Sequence, residues 1–348
     1  MNTICYVITG LKRGGAEKQL LIMSREAIRL GFHVDIYVLS NIDDMLEDFI
    51  AIGASVSFLR INKYNFLYKI FSFAKKIKHK DIKFIHAHMY HSIIFSRLVK
   101  ILIPKLKIIS SAHCNEECFK LRGKLLMVTD FLSSYNTHVS IDSLSLFLNK
   151  DVFSRHNSLV INNAVEVNSI LYPFRENIIT SVGRLEPSKG FDIIIKAFSR
   201  INKKNGDFKL YIIGDGPAYK DLNNLIISLR LEKKIFLLGN RSNVLDIVSK
   251  SKLFISASKS ESFGMAICEA IGSNIISLIP DLPSINEVVG KNYPDFLKHN
   301  NSSEDIYNKM LDILSNEKKI AFNDNSKYIK DNYSAIKIFN QWLSIYKK

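Results

Sequence analysis

Short apolar runs alternate with longer amphipathic stretches from one end of the chain to the other, which is the pattern of repeated strand–helix–strand units and parallel sheets. The first unit is clear. A strand near residues 3–9 runs into Gly10-Leu-Lys-Arg-Gly14-Gly15, and a helix from about Ala16 to Leu30 is stopped by Gly31. A strand follows at Val34–Leu39, and further strands are predicted at Val56–Leu59, Phe84–His88, Ile108–Ala112 and Thr137–Ser140, with a short one over 158–164. The pattern then restarts. Strands are predicted at Ile178–Val182, Lys209–Ile213, Ile235–Leu238, Leu253–Ser256 and Ile275–Leu278, the last completing a second sheet. A closing helix over about 326–348 carries Ile338, Phe339, Trp342 and Ile345 on one face.

Two doubly wound domains are therefore expected, at 1–165 and 166–325, with the closing helix returning to the first. A length of 348 residues agrees with two cores rather than one. Ligands of such sheets bind at the carboxyl ends of the strands, so a cleft between the domains is the expected active site. No apolar run reaches the roughly 18–20 residues that span a bilayer. The amino terminus reads as a strand rather than a signal peptide. Four scattered cysteines (Cys5, Cys114, Cys118, Cys268) suit reduced thiols in a cytoplasmic protein.

Charge changes the picture. The formal net charge is +15; residues 1–165 hold 22 Lys and Arg against 13 Asp and Glu, and residues 166–348 hold 26 against 20. Such an excess favours anionic partners without choosing among phosphorylated substrates, acidic lipid and nucleic acid. The stretch Phe66–Lys83 is basic and amphipathic. Phe66, Leu67, Ile70, Phe71, Ala74 and Ile77 share a face, and lysines crowd its end. It reads either as a packed surface helix or as an attachment to an anionic membrane.

Three segments carry candidate chemistry. Gly183-Arg184-Leu-Glu-Pro-Ser-Lys189-Gly190 joins a strand to a helix, and puts two cations beside backbone N–H groups as a diphosphate requires. Glu261-Ser-Phe263-Gly264-Met-Ala-Ile-Cys-Glu269 reads as a loop with Glu261 just ahead of a helix and Glu269 about two turns inside it. On a helix eight residues advance the direction by only about 80°. Both carboxylates could serve one elongated ligand, or Glu261 could cap the helix while Glu269 faces solvent. The Gly14-Gly15 loop admits a close backbone approach. It is not the dinucleotide fingerprint, although Asp35 stands where a ribose acid would. His86-Ala-His88-Met-Tyr-His91 and His113-Cys114 lack a convincing metal-ligand set, and no Asp-x-Asp triplet occurs anywhere. The histidines read as buried strand-end groups, or, for His113, as a group near a reacting sugar.

The order of these segments decides the matter. Gly14-Gly15-Ala16-Glu17, His86-Ala-His88-Met, Ser111-Ala-His113, Ile161-Asn-Asn163, Val182-Gly-Arg184-Leu-Glu-x-x-Lys189-Gly, Ile213-Gly-Asp-Gly216-Pro, Leu238-Gly239 and Glu261-x7-Glu269 together resemble a retaining glycosyltransferase of family four, similar to bacterial surface-polysaccharide (capsule and O-antigen) enzymes. The resemblance spans essentially the whole chain. It implies the GT-B fold, an α/β architecture of two Rossmann-like domains facing a central cleft.

By that resemblance Arg184 and Lys189 neutralise the donor diphosphate without metal or other cofactor, Glu261 holds the transferred sugar and Glu269 the ribose. Phe263 and Gly264 offer backbone donors. The loops bearing Gly214, Asp215, Gly239 and Arg241 receive the base, Gly14 and Gly15 close over the diphosphate, and His113 reaches the sugar. His88 and His91 are the acceptor candidates. The implied partners are a nucleotide sugar, a uridine diphosphate sugar first, and a glycan or lipid-linked acceptor, with an anionic membrane surface possible and no nucleic acid. A sugar-nucleotide epimerase, a transferase with a soluble acceptor, and a basic nucleic-acid-binding protein are the competing readings. Two departures from the family pattern, Ser284 and Ala164 where glycine is usual, put local loop geometry in question if a positive φ is needed there.

Overall fold

A computed structural model describes residues 3–168, 174–204, 207–290, 293–297, 302–315 and 323–347. Its contacts divide the chain into two units, Met1–Ala164 with Ala335–Lys348, and Val165–Ser334.

The first unit carries β1 (Thr3–Ile8), α1 (Gly15–Arg29), β2 (His33–Val38), α2 (Leu46–Ala51), β3 (Ser55–Phe58), α3 (Phe66–His79), β4 (Phe84–His88), α4 (Tyr90–Leu102), β5 (Lys107–Ala112), α5 (Lys120–Val128), β6 (Tyr135–His138), α6 (Ile141–Asn149) and β7 (Ser158–Val160). The strands form one seven-stranded parallel sheet in the order β3-β2-β1-β4-β5-β6-β7. The central strand β1 reads as the continuous run Thr-Ile-Cys-Tyr-Val-Ile because helices cover both faces of a parallel sheet. Register levels the strand ends: Ile8 pairs with His88, and His88 with Ser111. The loop after β1, His88 and the segment ending in His113 therefore emerge together.

Helices α3, α4 and α5 pack side by side, while α1 packs on α2. The face expected for α3 is divided. Ile70, Phe73, Ala74 and Ile77 point inward, whereas Leu67 and Phe71 point to solvent. The Phe73 ring fills the core between Tyr37 and Phe95 and sets that rotation.

The second unit carries β8 (Glu176–Val182), α7 (Phe191–Lys204), β9 (Lys209–Ile213), α8 (Tyr219–Ser228), β10 (Ile235–Leu237), α9 (Val244–Lys250), β11 (Ser251–Ile255), α10 (Met265–Gly272), β12 (Ser277–Pro280), α11 (Pro283–Val289), β13 (Phe296–Leu297), α12 (Ser303–Ser315) and α13 (Asn323–Tyr333). Its sheet is parallel, in the order β10-β9-β8-β11-β12-β13. The strand near 275–278 does not finish the sheet, because the two-residue β13 pairs beyond it.

The single closing helix expected over about 326–348 is two helices, α13 and α14 (Ala335–Tyr346), and Lys348 lies outside the described residues. Side chains hold α13 in the second unit: Ser326 Oγ donates to the Gly272 carbonyl at 2.9 Å and Asn325 Nδ2 to the Val289 carbonyl at 3.0 Å. Helix α14 belongs to the first unit, where it packs on α1 and buries Ile338, Phe339, Trp342 and Ile345.

Neither departure from the family pattern meets a backbone obstacle. Ser284 lies inside α11 and Ala164 donates its N–H to Gln19 Oε1 at 2.9 Å, and neither residue has a positive φ.

Candidate active site

In each sheet the strand order reverses at one point, and there the loops of adjacent strands diverge and leave a crevice. In the second unit this point lies between β8 and β11. The loop after β8 supplies Arg184 and Lys189, and the loop after β11 supplies Glu261.

Backbone hydrogen bonds knit these loops. Gly183 N donates to the Ile213 carbonyl, Leu185 N to Asp215, Ala218 N to Leu185, and Lys259 N to Ser188. Gly214 bridges to Gly239, its N–H donating at 2.9 Å, with φ of +139° and the Gly183 carbonyl standing where a β-carbon would go. A side chain there would meet both the strained backbone and that carbonyl. Asp215 turns its Oδ1 onto the Gly216 N–H at 2.8 Å. Arg241 is exposed on the loop after β10.

Within this frame Lys189 Nζ donates to Glu261 Oε1 at 2.7 Å, and both side chains are largely covered, at 20% and 16% exposure. Arg184 is 67% exposed, with Nε 3.7 Å from Glu186. One cation is therefore covered and closely paired, and the other is exposed with a longer ion pair. The Glu261 carbonyl accepts from Ser284 Oγ at 2.7 Å, which fixes the loop from below.

Glu261 stands ahead of a helix, as expected, so the offset of about 80° counted along a helix does not describe its relation to Glu269. Helix α10 begins at Met265, after Gly264 in the left-handed region at φ +79°, so Glu261 sits on extended and turning chain four residues ahead. Glu269 is buried in the second turn of that helix rather than solvent-facing. The Phe263 ring is also buried, edge-on to Tyr333 at 5.5 Å, which leaves only its backbone for a ligand.

In the first unit the reversal lies between β1 and β4. Gly14 and Gly15 are exposed at the start of α1, with Gly14 in extended conformation and the Glu17 carboxylate folded against it. Burial raises the Glu17 carboxyl to about 7. Beside this loop stand the histidines. His88 Nδ1 is 2.9 Å from His113 Nε2, with the two rings nearly parallel. His86 Nε2 is 2.6 Å from Ser111 Oγ and its Nδ1 is 2.8 Å from the Tyr346 hydroxyl of α14.

Burial holds all three imidazoles neutral. His86 and His88 titrate well below the usual histidine range and His113 is lowered to about 4. His91 is exposed at the first turn of α4 and is also lowered, by burial and then by the Arg122 charge. Asp35, the candidate ribose acid, is engaged elsewhere: it is buried on β2 and accepts from Lys80 Nζ at 2.5 Å. Among the described residues no cluster of His, Cys, Asp and Glu is arranged to hold a metal.

Three groups escaped the sequence reading. Glu117 accepts from the Tyr90 N–H at 3.2 Å, which caps α4, and burial raises its carboxyl to about 8. Its only sequence signal was an acid following His113. His138 is fully buried against Phe147 and Phe153 and is lowered to about 3. It lines a small cavity with His88, His113, Asn163 and Trp342. Glu17 was visible only as part of the Gly-Gly-Ala-Glu run.

Comparison with known proteins gives the family and the fold. The family model for Glycosyltransferase Family 4 matches residues 13–141, and the one for Glycosyl transferases group 1 matches residues 167–333. The chain belongs to the family-4 glycosyltransferases of the GT-B fold. It is 28% identical over 141 residues to the phosphatidylinositol N-acetylglucosaminyltransferase GPI3 subunit of Saccharomyces cerevisiae, covering 39% of this chain and 31% of that protein. It is 27% identical over 187 residues to a Campylobacter jejuni protein named N-acetylgalactosamine-N,N'-diacetylbacillosaminyl-diphospho-undecaprenol 4-alpha-N-acetylgalactosaminyltransferase, covering 51% of this chain and 50% of that one. The chain thus spans a third to a half of the length of these relatives. The crystal structure of Anabaena Alr3699/HepE, in complex with UDP and glucose, superposes with a TM-score of 0.84 over 99% of each chain at 17% identity.

Proposed function

We propose that this chain transfers a hexose or N-acetylhexosamine from a uridine diphosphate sugar to a lipid-linked glycan, with retention at the anomeric carbon. The observation that carries the proposal is Lys189 held against Glu261, with the exposed Arg184 on the same loop as Lys189, where the second sheet reverses. Departure of a nucleoside diphosphate builds negative charge on phosphate oxygen and positive charge at the anomeric carbon. Cations fixed at the phosphate stabilise that separation as it develops. A carboxylate beside them suits sugar hydroxyls.

The acceptor oxygen forms its bond to the anomeric carbon on the face the phosphate leaves, and the phosphate oxygen takes the acceptor's proton. No protein nucleophile is required. Arg184 and Lys189 do the work a metal does in other transferases. Glu269 is assigned to the ribose, the loops of Gly214, Asp215, Gly239 and Arg241 to the base, and Phe263 and Gly264 to phosphate through their backbone.

In the first unit Gly14, Gly15 and His113 are assigned to donor and sugar, with His88 and His91 toward the acceptor. The lipid-linked acceptor is supported by the Campylobacter relative, named for transfer to a diphospho-undecaprenol glycan, and by the yeast relative, named for a phosphatidylinositol substrate. Uridine is supported by the UDP in the Anabaena structure.

A thermal-shift screen of nucleotide sugars against the purified chain tests the reading. UDP-hexoses and UDP-N-acetylhexosamines are expected to raise the midpoint, and Arg184→Ala to abolish the rise. If no nucleotide sugar moved it, and Arg184→Ala matched wild type, the proposal would fail.

A further inference from the structure

The chain's charge is concentrated in one place. Between residues 60 and 132, Lys and Arg outnumber Asp and Glu by 15 to 4, while the rest of residues 1–165 holds 7 against 9. That stretch alone accounts for 11 of the net 15 positive charges. Only Arg97 among its cations is fully buried and paired, to Asp130.

The same stretch exposes large apolar side chains. On α5, Gly123 and Leu126 point inward, which leaves Leu121, Leu125 and Val128 in an outward stripe at i, i+4 and i+7. Leu121 is 68% exposed, and Phe131, just past the helix, is 79% exposed. Lys120, Arg122 and Lys124 interleave with them. On α3, Leu67, Tyr68 and Phe71 are turned out in the same way, above Lys75 and Lys78. Both helices flank α4, so the two apolar stripes belong to one helical layer.

We infer that this layer docks on an anionic lipid bilayer, with α5 and Phe131 entering the headgroup region and the lysines meeting lipid phosphates. Water does not favour so many outward leucines and phenylalanines, and a polyanion alone has no use for them. An anionic bilayer takes both. The surface is rigidly tied to the strand ends described above. Phe119 stands six residues past His113, and Glu117 between them caps α4 just beyond His88. Delivery of a lipid-linked acceptor to those histidines rests on the proposed function; the docking itself does not.

Co-flotation of the full chain with vesicles separates the two. Wild type is expected to float with phosphatidylcholine–phosphatidylglycerol vesicles, weakly with phosphatidylcholine alone, and less as salt rises. Leu121→Ser/Leu125→Ser/Phe131→Ser should lower the bound fraction about tenfold, and Lys120→Glu/Lys124→Glu should lower it as well. Both variants should keep the wild-type thermal shift with UDP, which reports that they are folded. With Trp342 as the native tryptophan, Phe131→Trp should shift its emission to the blue on phosphatidylglycerol vesicles. Wild type that stays with the pellet, a triple variant that floats normally, or an unmoved Phe131→Trp emission would each overturn the inference. So would a wild-type dimer that the triple variant turns into a monomer, because the occupant would then be a second copy of the chain. Loss of the UDP shift in wild type, with flotation intact, would sink the transferase reading and leave the docking standing.

Discussion

The 2.7 Å contact between Lys189 and Glu261 makes opposite demands on its two partners. If Lys189 is the diphosphate cation, it must leave or share Glu261 when the donor binds. Lys189→Met keeps the length of the side chain and removes the charge. A hydrogen bond to a charged group contributes about 1.5–3 kcal/mol, so the Kd for UDP should rise roughly 10- to 150-fold. Glu261→Gln acts the other way. It frees Lys189 and removes a negative charge near the phosphates, so UDP should bind at least as tightly as to wild type. Sugar transfer should nevertheless fall by about 10²–10³, as when one preorganised polar group is withdrawn from a transition state. Titration calorimetry with UDP and initial rates with the identified donor sugar read the two effects separately. UDP affinity in Lys189→Met equal to wild type, or an equal loss of UDP affinity in both variants, would refute the division of labour.

Gly214→Ala should weaken UDP binding and lower Tm, since φ of +139° and the Gly183 carbonyl leave no room for a methyl group; strain of this kind costs about 1–3 kcal/mol, and an unchanged Tm would remove the argument. Arg97→Met leaves Asp130 and Asn136 without the guanidinium they face at 3.3 and 3.0 Å; urea unfolding should show a loss of about 3–5 kcal/mol, and less than 1 kcal/mol would mean that the network relaxes freely. Glu117 has its folded pKa raised to about 8, so it holds its proton in the folded state after the unfolded chain has released it. Its contribution to stability is present at low pH and is lost as pH rises from the ordinary carboxylate range toward 8. Glu117→Gln should flatten that limb of a Tm–pH curve. His113 has the opposite sign. Its folded pKa is lowered to about 4, so its contribution is present above the ordinary histidine range and is lost as pH falls toward 4. His113→Asn should flatten the acid limb, and curves identical to wild type would contradict either assignment.

How much of this was legible in the sequence follows the range of each interaction. Strand β1 shows itself because a strand covered on both faces leaves an unbroken apolar run, and α1 because Gly31 ends it at φ +83°. The strand β13 does not, since two residues, Phe296 and Leu297, carry no periodicity and exist as a strand only by pairing with β12. The break between α13 and α14 was hidden for a similar reason. A helical pattern continues through it, and the hydrogen bonds that assign α13 to the second unit come from Gly272 and Val289, far away in the chain.

Site residues divide in the same way. The glycines and cations of 183–190 could be read locally because a strand–turn–helix junction has a local signature. The Lys189–Glu261 pair spans 72 residues and the His88–His113 pair 25, and both are products of sheet register. Glu261…Glu269 shows the limit most plainly. The pattern puts Glu261 just ahead of the helix, as it is. An angular offset counted along one helix cannot describe the pair, because Gly264 starts the helix only after Glu261 has been placed by the loop.

The two sheets carry different chemistry at equivalent places. Where the second reverses, the polar side chains are charged: Arg184 exposed, and Lys189 and Glu261 paired. Where the first reverses, burial has stripped the charge away, and His86, His88 and His113 are neutral through the physiological range. The proposed substrates sort accordingly. A diphosphate gains from fixed cations, and in a row of neutral imidazoles it would find neither countercharge nor enough N–H donors to replace its water. An uncharged sugar hydroxyl has the reverse preference. A neutral imidazole offers one donor and one acceptor, as a hydroxyl does, and needs no countercharge. His88 and His113 already show that complementarity toward each other, since one ring must donate and the other accept across their 2.9 Å contact. On the proposed reaction, uncharged hydroxyls would suit the first set, those of the transferred sugar at His113 and of the acceptor at His88, and a nucleotide diphosphate the second. That sorting follows from burial and charge at each reversal point, and it agrees with the roles proposed for Arg184 and Lys189 on one side and for His88 and His113 on the other.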